Sequence, residues 1–325
     1  MCTSIAMKWG GGYFGRNMDV EYSFGEQVAV TPRRYPLRFW RQPEQAEHFA
    51  LIGMAHVAGG RPLYAEAANE KGLYMAGLNL PGSAWYEPDP PEGCDAVAPY
   101  ELIPWVLGSC ATLAEVKARL ARFRPLGVPL AAGLPLAPLH WHIADRTGAL
   151  VLEATREGVR LYDDPVGVLT NNPPFPFHQL NLSQYQHLTA RPTENRLAPG
   201  LPLEAFGQGM GAIGLPGDAS PASRYVRAAF CKLNAPDPGG ELERVSDFFH
   251  LLDAVAMVRG SVLTPEGKWD MTTYACCFSA GAGTYYYKTH SNSRLSAVRL
   301  SGADLDGSTV QLFPLCREED VRMLN

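Results

Sequence analysis

Cys2 is the residue with the clearest chemical potential, because it directly follows Met1. Methionine removal is favoured when the second residue is small, and the chain would then begin with a thiol and a free α-amine on one residue. An unperturbed α-amine has a pKa of about 7.7–8.0, so it can accept a proton at neutral pH beside its own nucleophile. A cysteine at position two also arises by accident. The pattern therefore predicts nucleophilic catalysis by Cys2 only if its neighbours support it.

Three consecutive glycines at 10–12 separate two short apolar segments and predict a β-hairpin at the N-terminus. If the first two glycines form a two-residue turn, Cys2 lies opposite Asp19. Asp19 could then accept hydrogen bonds from the α-amine. Arg16 could stabilise the thiolate, because a neighbouring cation lowers the pKa of a thiol. The alternative is that Arg16 and Asp19 form an ordinary surface salt bridge on the hairpin.

The elements that would position these residues follow from apolar spacing along the chain. Strands are predicted at Thr3–Met7, Tyr13–Asn17, Gln27–Val30, Phe49–His56, Gly72–Asn79, Leu139–Ala144, Leu150–Ala154, Val159–Tyr162, Val166–Thr170, Thr272–Ser279, Thr284–Thr289 and Leu295–Leu300. Helices are predicted at Tyr100–Leu107, Leu113–Phe123, Phe175–His187, Ala222–Leu233 and Arg244–Val258, with Thr112 as an N-cap. This order lacks βαβ alternation, which predicts the α+β class, with antiparallel sheets covered by helices in one domain.

The composition excludes several classes of protein. The 325 residues are 46% hydrophobic and carry a formal net charge of −5, which excludes a disordered chain and argues against a nucleic-acid partner. The apolar run Leu126–Leu139 contains prolines and is shorter than the roughly 18 residues of a membrane helix, so it is a loop that lines a ligand site or packs on the body. Seven scattered cysteines and no secretory signal predict free thiols in the cytoplasm, with no metal site.

Six separated motifs resemble the choloylglycine hydrolase family, the bile salt hydrolases and penicillin V acylases of the N-terminal nucleophile (Ntn) hydrolase superfamily. The motifs are MCTS at 1–4, FGRNMD at 14–19, ANEKGLYMAGLNLPG at 68–82, LTNNP at 169–173, GLPGD at 214–218 and ASRYVR at 222–227. Their order and spacing match the family over essentially the whole chain. The resemblance implies an αββα four-layer fold, two antiparallel sheets between helices, in a single domain spanning 2–325 after removal of Met1.

The same resemblance assigns the catalytic residues. They are Cys2, Arg16, Asp19, Asn79, Asn171 and Arg224. Cys2 matches the nucleophile, and Asn79 and Asn171 match the contributors to the oxyanion hole. A preorganised amide donor at that position is typically worth about 2.7–4 kcal/mol. Without the resemblance, Asn171 would be interpreted as a turn residue and Arg224 as a solvated helix residue.

The implied reaction is hydrolysis of an amide through a thioester on Cys2, without metal or organic cofactor. The substrate would be a glycine or taurine conjugate of a bile acid, with penicillin V and N-acyl homoserine lactones as alternatives. Asn79 favours bile salts, since penicillin V acylases tend to carry tyrosine there. Val20 weakens this, because several bile salt hydrolases carry an aromatic residue there. A catalytically silent Ntn-fold binding protein is the alternative outside enzymology.

A steroid needs a wide apolar pocket, and candidate wall residues are Phe24, Met54, Leu134, Leu136 and Leu139. Core packing explains apolar residues more often than ligand binding does.

His140 and His142 would share one face of a strand, a metal-binding geometry, but no nearby carboxylate pattern supports it and paired structural histidines are favoured.

The Pro/Gly-rich segment 191–221 resembles the family's assembly loop, which implies a homotetramer, although a monomer stays possible.

Overall fold

The fold consists of two stacked antiparallel sheets with helices on both outer faces. It is described by a computed structural model covering residues 1–131 and 136–325. The described strands are β1 Cys2–Met7, β2 Tyr13–Val20, β3 Gln27–Thr31, β4 Leu51–Ala58, β5 Arg61–Asn69, β6 Tyr74–Asn79, β7 Asp95–Val97, β8 Phe123–Pro125, β9 Leu139–Asp145, β10 Gly148–Thr155, β11 Gly158–Asp163, β12 Val168–Leu169, β13 Val262–Leu263, β14 Trp269–Ser279, β15 Thr284–Thr289, β16 Asn292–Arg299 and β17 Gln311–Phe313. The described α-helices are α1 Leu102–Leu107, α2 Leu113–Arg119, α3 Phe175–Leu182, α4 Pro221–Asn234 and α5 Glu241–Asp253.

The first sheet has the order β12-β1-β2-β14-β15-β16, with β13 added to β14, and the second has the order β11-β10-β9-β6-β5-β4-β3-β17. Helices α1 and α2 pack on the second sheet, while α4 and α5 pack on the first. The layers therefore run helix, sheet, sheet, helix, and the predicted α+β, αββα architecture is confirmed. None of the helices in the described ranges is long and apolar enough to cross a membrane.

Alternation along the strands divides the apolar side chains between two clusters. On β9, Trp141 and Ile143 belong to the cluster beneath α1 and α2. His142 points the other way, because its Nδ1 lies 2.9 Å from the Ser4 hydroxyl of the first sheet. The same alternation places Ile52 and Met54 of β4 in the other cluster, on the side of the second sheet that faces the first sheet.

Several sequence expectations need correction. Strand β5 was not anticipated, and the predicted strand at Val166–Thr170 is only two residues long. The predicted helices at 113–123 and 175–187 end earlier, each followed by a short 3₁₀ turn. The predicted N-cap is confirmed, since Thr112 Oγ1 accepts a hydrogen bond from the Glu115 amide at 3.3 Å.

The N-terminal hairpin forms, but the predicted register is wrong by one residue. Cys2 pairs with Met18, not with Asp19, and the last pair before the turn joins Met7 to Tyr13. The connection is therefore the five residues 8–12 and not a two-residue glycine turn. A shift of one residue moves a side chain to the opposite face of a sheet. This decides which predicted partners face the Cys2 thiol.

Candidate active site

Cys2 lies at the start of β1, the strand between β12 and β2 in the first sheet, and pairs with Met18 of β2. It is only 1% exposed and points into the space between the sheets. Its Sγ is 4.0 Å from Sδ of Met18, the residue opposite it in the hairpin. Because side chains two apart share a face, Arg16 lies on the same side of β2 as Met18.

Arg16 approaches the thiol region from the inter-sheet side. Its side chain is fully buried, and Nη1 donates to the Gly77 carbonyl of β6 at 2.5 Å. Nη2 contacts Met18 Sδ at 3.6 Å. Burial disfavours the guanidinium, but electrostatic interactions with Cys2, Tyr274 and Glu66 outweigh it, so the pKa of Arg16 is raised. Arg16 therefore places a permanent positive charge beneath the Cys2 thiol.

Glu66 of β5 balances this buried cation, with Oε2 at 3.6 Å from Arg16 Nη1. Tyr285 donates its hydroxyl to Oε1 at 2.7 Å and Tyr274 donates to Oε2 at 2.9 Å. Cys276 lies 3.6 Å from Oε1. Burial raises the pKa of Glu66, although Arg16 and the two hydroxyls oppose the rise. Since donors converge on both oxygens, the geometry favours the ionised carboxylate.

Asp19 lies on the opposite face of β2, toward α4 and α5. Its Oδ1 accepts from the Thr272 hydroxyl at 2.6 Å, and Oδ2 is 3.9 Å from Arg224 Nη1. Burial raises the pKa of Asp19, whereas Arg224 opposes the rise. The α-amine of Met1 donates to the Asp19 backbone carbonyl at 2.5 Å and lies 3.3 Å from Asp270 Oδ2. The backbone carbonyl of Asp19 therefore contacts the α-amine of Met1, and the contact between Asp19 and a Cys2 α-amine stays a prediction.

Asn171 and Arg224 hold the backbone of Cys2. The Cys2 amide donates to Asn171 Oδ1 at 2.8 Å, and Arg224 Nη1 donates to the Cys2 carbonyl at 2.5 Å. Arg224 Nη2 also donates to Asn171 Oδ1 at 2.8 Å. Asn171 Nδ2 donates to the Asn79 carbonyl at 2.7 Å. These contacts link the predicted catalytic residues around Cys2, and Arg224 is buried, not solvated.

The residues predicted to line the substrate pocket do not all lie near Cys2. Met54 is buried in the same inter-sheet cluster as Cys2, and Phe24 packs against that cluster. Leu136 is half-buried, and Leu139 packs on the helix-facing cluster across the second sheet. Leu134 lies outside the described residues. The structure brings Met54 and Phe24 toward the cluster of Cys2 and leaves Leu139 on the other face.

Sequence reasoning missed Glu66, Thr272 and Met18. Glu66 lies in the alternating segment 61–69, which was not recognised as a strand, so a buried carboxylate was not expected there. Thr272 was placed in a strand, but its contact with Asp19 depends on pairing between β2 and β14 across more than 250 residues. Only the hairpin register could have identified Met18.

Similarity to known proteins extends over nearly the whole chain. A family model for linear amide C–N hydrolases of the choloylglycine hydrolase family matches residues 2–313. The chain is 40% identical to the bile salt hydrolase/transferase of Lactiplantibacillus plantarum, with 100% of both chains covered. It is 36% identical to the conjugated bile acid hydrolase of Lactobacillus acidophilus, covering 96% of this chain and 100% of that one.

Solved structures agree with the fold. The mutant C2A conjugated bile acid hydrolase from Clostridium perfringens superposes with a TM-score of 0.92 at 36% identity, covering 100% of both chains. Penicillin V acylase from Agrobacterium tumefaciens gives a TM-score of 0.75 at 17% identity, covering 99% of this chain and 100% of that one. The second likeness concerns the fold alone.

Proposed function

Because the chain belongs to the choloylglycine hydrolase family, and so hydrolyses linear amide C–N bonds, we propose that its substrates are glycine and taurine conjugates of bile acids. The observation that carries this proposal is the identity of 36–40% to bile salt and conjugated bile acid hydrolases over essentially their whole length. The penicillin V acylase shares 17%. Penicillin V and N-acyl homoserine lactones are therefore alternative substrates for the test.

Removal of Met1 is the first step of the proposed mechanism. While Met1 is present, the Cys2 nitrogen is an amide that donates to Asn171, so it has no basic lone pair. Cleavage converts it into an α-amine beside the thiol. Asn171 Oδ1, which accepts from the Cys2 nitrogen at 2.8 Å, is then an acceptor for the new terminus.

The Cys2 α-amine then takes the proton of the thiol, the resulting thiolate attacks the amide carbon, and the α-ammonium gives that proton to the departing glycine or taurine nitrogen. The C–N bond breaks, a thioester forms on Cys2, and water hydrolyses it to regenerate the thiol. Arg16 stabilises the thiolate from the inter-sheet side. Asn171 Nδ2 has a second hydrogen beside the one given to Asn79, and we assign it to the oxyanion. An N–H group of Asn79 is the second donor that we propose for this hole.

A second outcome of the same thioester is transfer to an amine. The relative from Lactiplantibacillus plantarum is named a hydrolase/transferase. An amine that replaces water at the thioester would form a new amide by the same bond changes in reverse. Added free amino acid with cholate or a conjugate, followed by mass spectrometry of the products, tests this activity.

The decisive experiment compares turnover of glycocholate, taurocholate, penicillin V and a long-chain N-acyl homoserine lactone by the purified protein. Intact-mass measurement establishes whether Met1 is absent. We expect conjugated bile salts to be cleaved fastest, and Cys2→Ala to abolish cleavage. Faster turnover of penicillin V would overturn the substrate assignment. Retention of Met1 on active protein would overturn the mechanism.

We also propose that the segment 191–221 mediates assembly into a homotetramer. Leu197 and Phe206 of this segment are 90% and 91% exposed, which is unusual for large apolar side chains unless a partner covers them. Light scattering after size exclusion would test this, with Leu197→Asp/Phe206→Asp expected to give smaller species.

All seven cysteines are free within the described residues, which supports the proposed cytoplasmic location.

A further inference from the structure

We propose that His140 and Glu153 are positioning residues of the reaction, because they fix the backbone segment 170–175 that carries Asn171. The inference rests on the proposed role of Asn171 in the oxyanion hole. It gives a function to one of the two strand histidines that the sequence marks as a pair.

His140 and Glu153 face each other on neighbouring strands, one step beyond the Trp141–Leu152 pair of β9 and β10. Their side chains are 0% and 1% exposed. His140 Nδ1 lies 2.9 Å from Glu153 Oε1, and Nε2 lies 3.1 Å from the Thr170 carbonyl oxygen. The imidazole therefore joins the second sheet to the residue directly before Asn171.

Both neighbours of the His140 ring are hydrogen-bond acceptors, a carboxyl oxygen and a carbonyl oxygen. Nε2 must carry a hydrogen to bond Thr170, and one further hydrogen must lie between Nδ1 and Glu153. Glu153 Oε1 also accepts from the Phe175 amide at 2.9 Å, at the start of α3. The His140–Glu153 dyad thus binds both ends of the segment 170–175 while it keeps no net charge in the core.

A second histidine also binds the backbone of the segment 170–175. His178 of α3 donates from Nε2 to the Asn171 carbonyl at 2.8 Å. Burial lowers the pKa of His178, so the ring is neutral and its hydrogen faces that acceptor. His178 also stacks on Tyr225, the neighbour of Arg224, with ring centroids 4.9 Å apart. Three side chains therefore fix backbone groups at Thr170, Asn171 and Phe175.

For the reaction, these contacts determine where the side chain of Asn171 lies. The Asn171 amide must keep Oδ1 on the Cys2 backbone while one Nδ2 hydrogen remains free for the oxyanion. Its side chain can hold this geometry only if its own backbone is fixed. A displacement of about 1 Å at such a group costs on the order of 10²-fold in rate.

A double-mutant cycle on kcat tests the proposal. We expect His140→Ala to lower kcat by roughly 10²-fold with little change in KM. Asn171→Ala should lower it by about 10²–10³-fold. If His140 acts through Asn171, the double variant should fall within about twofold of Asn171→Ala, which is the usual error of additivity. Multiplicative losses, or a wild-type kcat for His140→Ala, would overturn the proposal.

Conservative variants guard against a simple folding defect. His140→Gln keeps a donor near Thr170, so it should recover at least tenfold of the kcat lost in His140→Ala. Glu153→Gln keeps an acceptor for Phe175 but removes the charge, and it should give an intermediate loss. His142→Ala is the matched control, since His142 is equally buried on the same face of β9 but bonds Ser4 and not the segment 170–175. An equal loss of kcat in His142→Ala would also contradict the proposal.

The cycle can be run on any amide that the enzyme cleaves. If conjugated bile salts are not substrates but penicillin V is, the substrate proposal fails while the coupling between His140 and Asn171 is still measured. If bile salts are cleaved but the losses multiply, the substrate proposal stands and the positioning role fails. The two failures are therefore distinguishable.

Discussion

Replacing Glu66 by glutamine should destabilise the fold by roughly 3–5 kcal/mol, because the buried Arg16 cation would lose its counter-charge. The substitution is nearly isosteric, so no cavity forms. Glutamine still offers one oxygen to the hydroxyls of Tyr274 and Tyr285. The expected loss is therefore electrostatic and concerns the fold as well as the site, since Arg16 lies beneath Cys2.

The magnitude follows from the geometry of the pair. At the observed 3.6 Å, and with an effective dielectric constant of about 20, the attraction between Arg16 and Glu66 is about 5 kcal/mol. Water cannot replace the lost charge, because both side chains are 0% exposed. A whole domain is typically stable by only about 5–15 kcal/mol, so this single change should leave little margin.

Equilibrium unfolding in urea, followed by circular dichroism, gives the difference. Glu44→Gln is the matched control, because Glu44 pairs with Arg38 at 2.9 Å on the surface, where such pairs contribute about 0–1 kcal/mol. The double variant Arg16→Met/Glu66→Leu should regain most of the stability, since it removes both charges. The reasoning is refuted if Glu66→Gln unfolds within about 1 kcal/mol of Glu44→Gln. If Glu66→Gln does not refold, the double variant decides: normal folding supports the buried pair, and failure to fold contradicts it.

Three further outcomes are expected. Burial holds the pKa of His178 below its ordinary 6.5 in the folded chain, so just below that pH the unfolded chain binds more protons than the folded chain. The contribution of His178 to the free energy of unfolding should therefore be complete above pH 6.5 and fall as the pH drops through that value. His178→Gln should flatten this part of the pH dependence of the urea midpoint. A steeper profile in that variant would contradict the burial of a neutral ring. Gly15→Ala should lower Tm far more than Gly148→Ala, because a Cβ at Gly15 would lie 1.9 Å from a carbonyl oxygen of β14, whereas one at Gly148 meets a side chain at 3.9 Å. Equal Tm values for the two variants would contradict the close packing of β14 against Gly15 of β2. Thr112→Ala should cost about 1 kcal/mol through the lost N-cap, and Thr112→Ser, measured in the same unfolding series, should restore it.

Much of the fold could be predicted from local signals. The N-cap at Thr112 and the strand at Thr284–Thr289 depend on residues close in sequence, and both agree with the structure. The pairing of Cys2 with Met18 could not be predicted, because three adjacent glycines permit more than one turn length. This shift of one residue in the hairpin register decides which side chains face the Cys2 thiol.

The candidate site was predictable only in part, for a related reason. Its polar groups are buried through contacts between distant strands, as in the ion pair of Arg16 with Glu66. The helical segment around Arg224 resembles an ordinary solvated helix in sequence, since nothing local shows that its guanidinium reaches the Cys2 carbonyl. Family motifs identified these residues, and the structure supplied their partners.

The position of β14 in the first sheet has a consequence during protein synthesis. Strand β14 pairs with β2, yet it begins at Trp269, so a ribosome that adds about 5–20 residues per second needs roughly 13–54 s to deliver it. Until then the N-terminal hairpin has an open edge and no finished sheet to enter. An aminopeptidase therefore has most of the elongation time to remove Met1 before the start of the chain is enclosed. In the proposed mechanism, slow delivery of β14 therefore lengthens the time in which Met1 is accessible for removal.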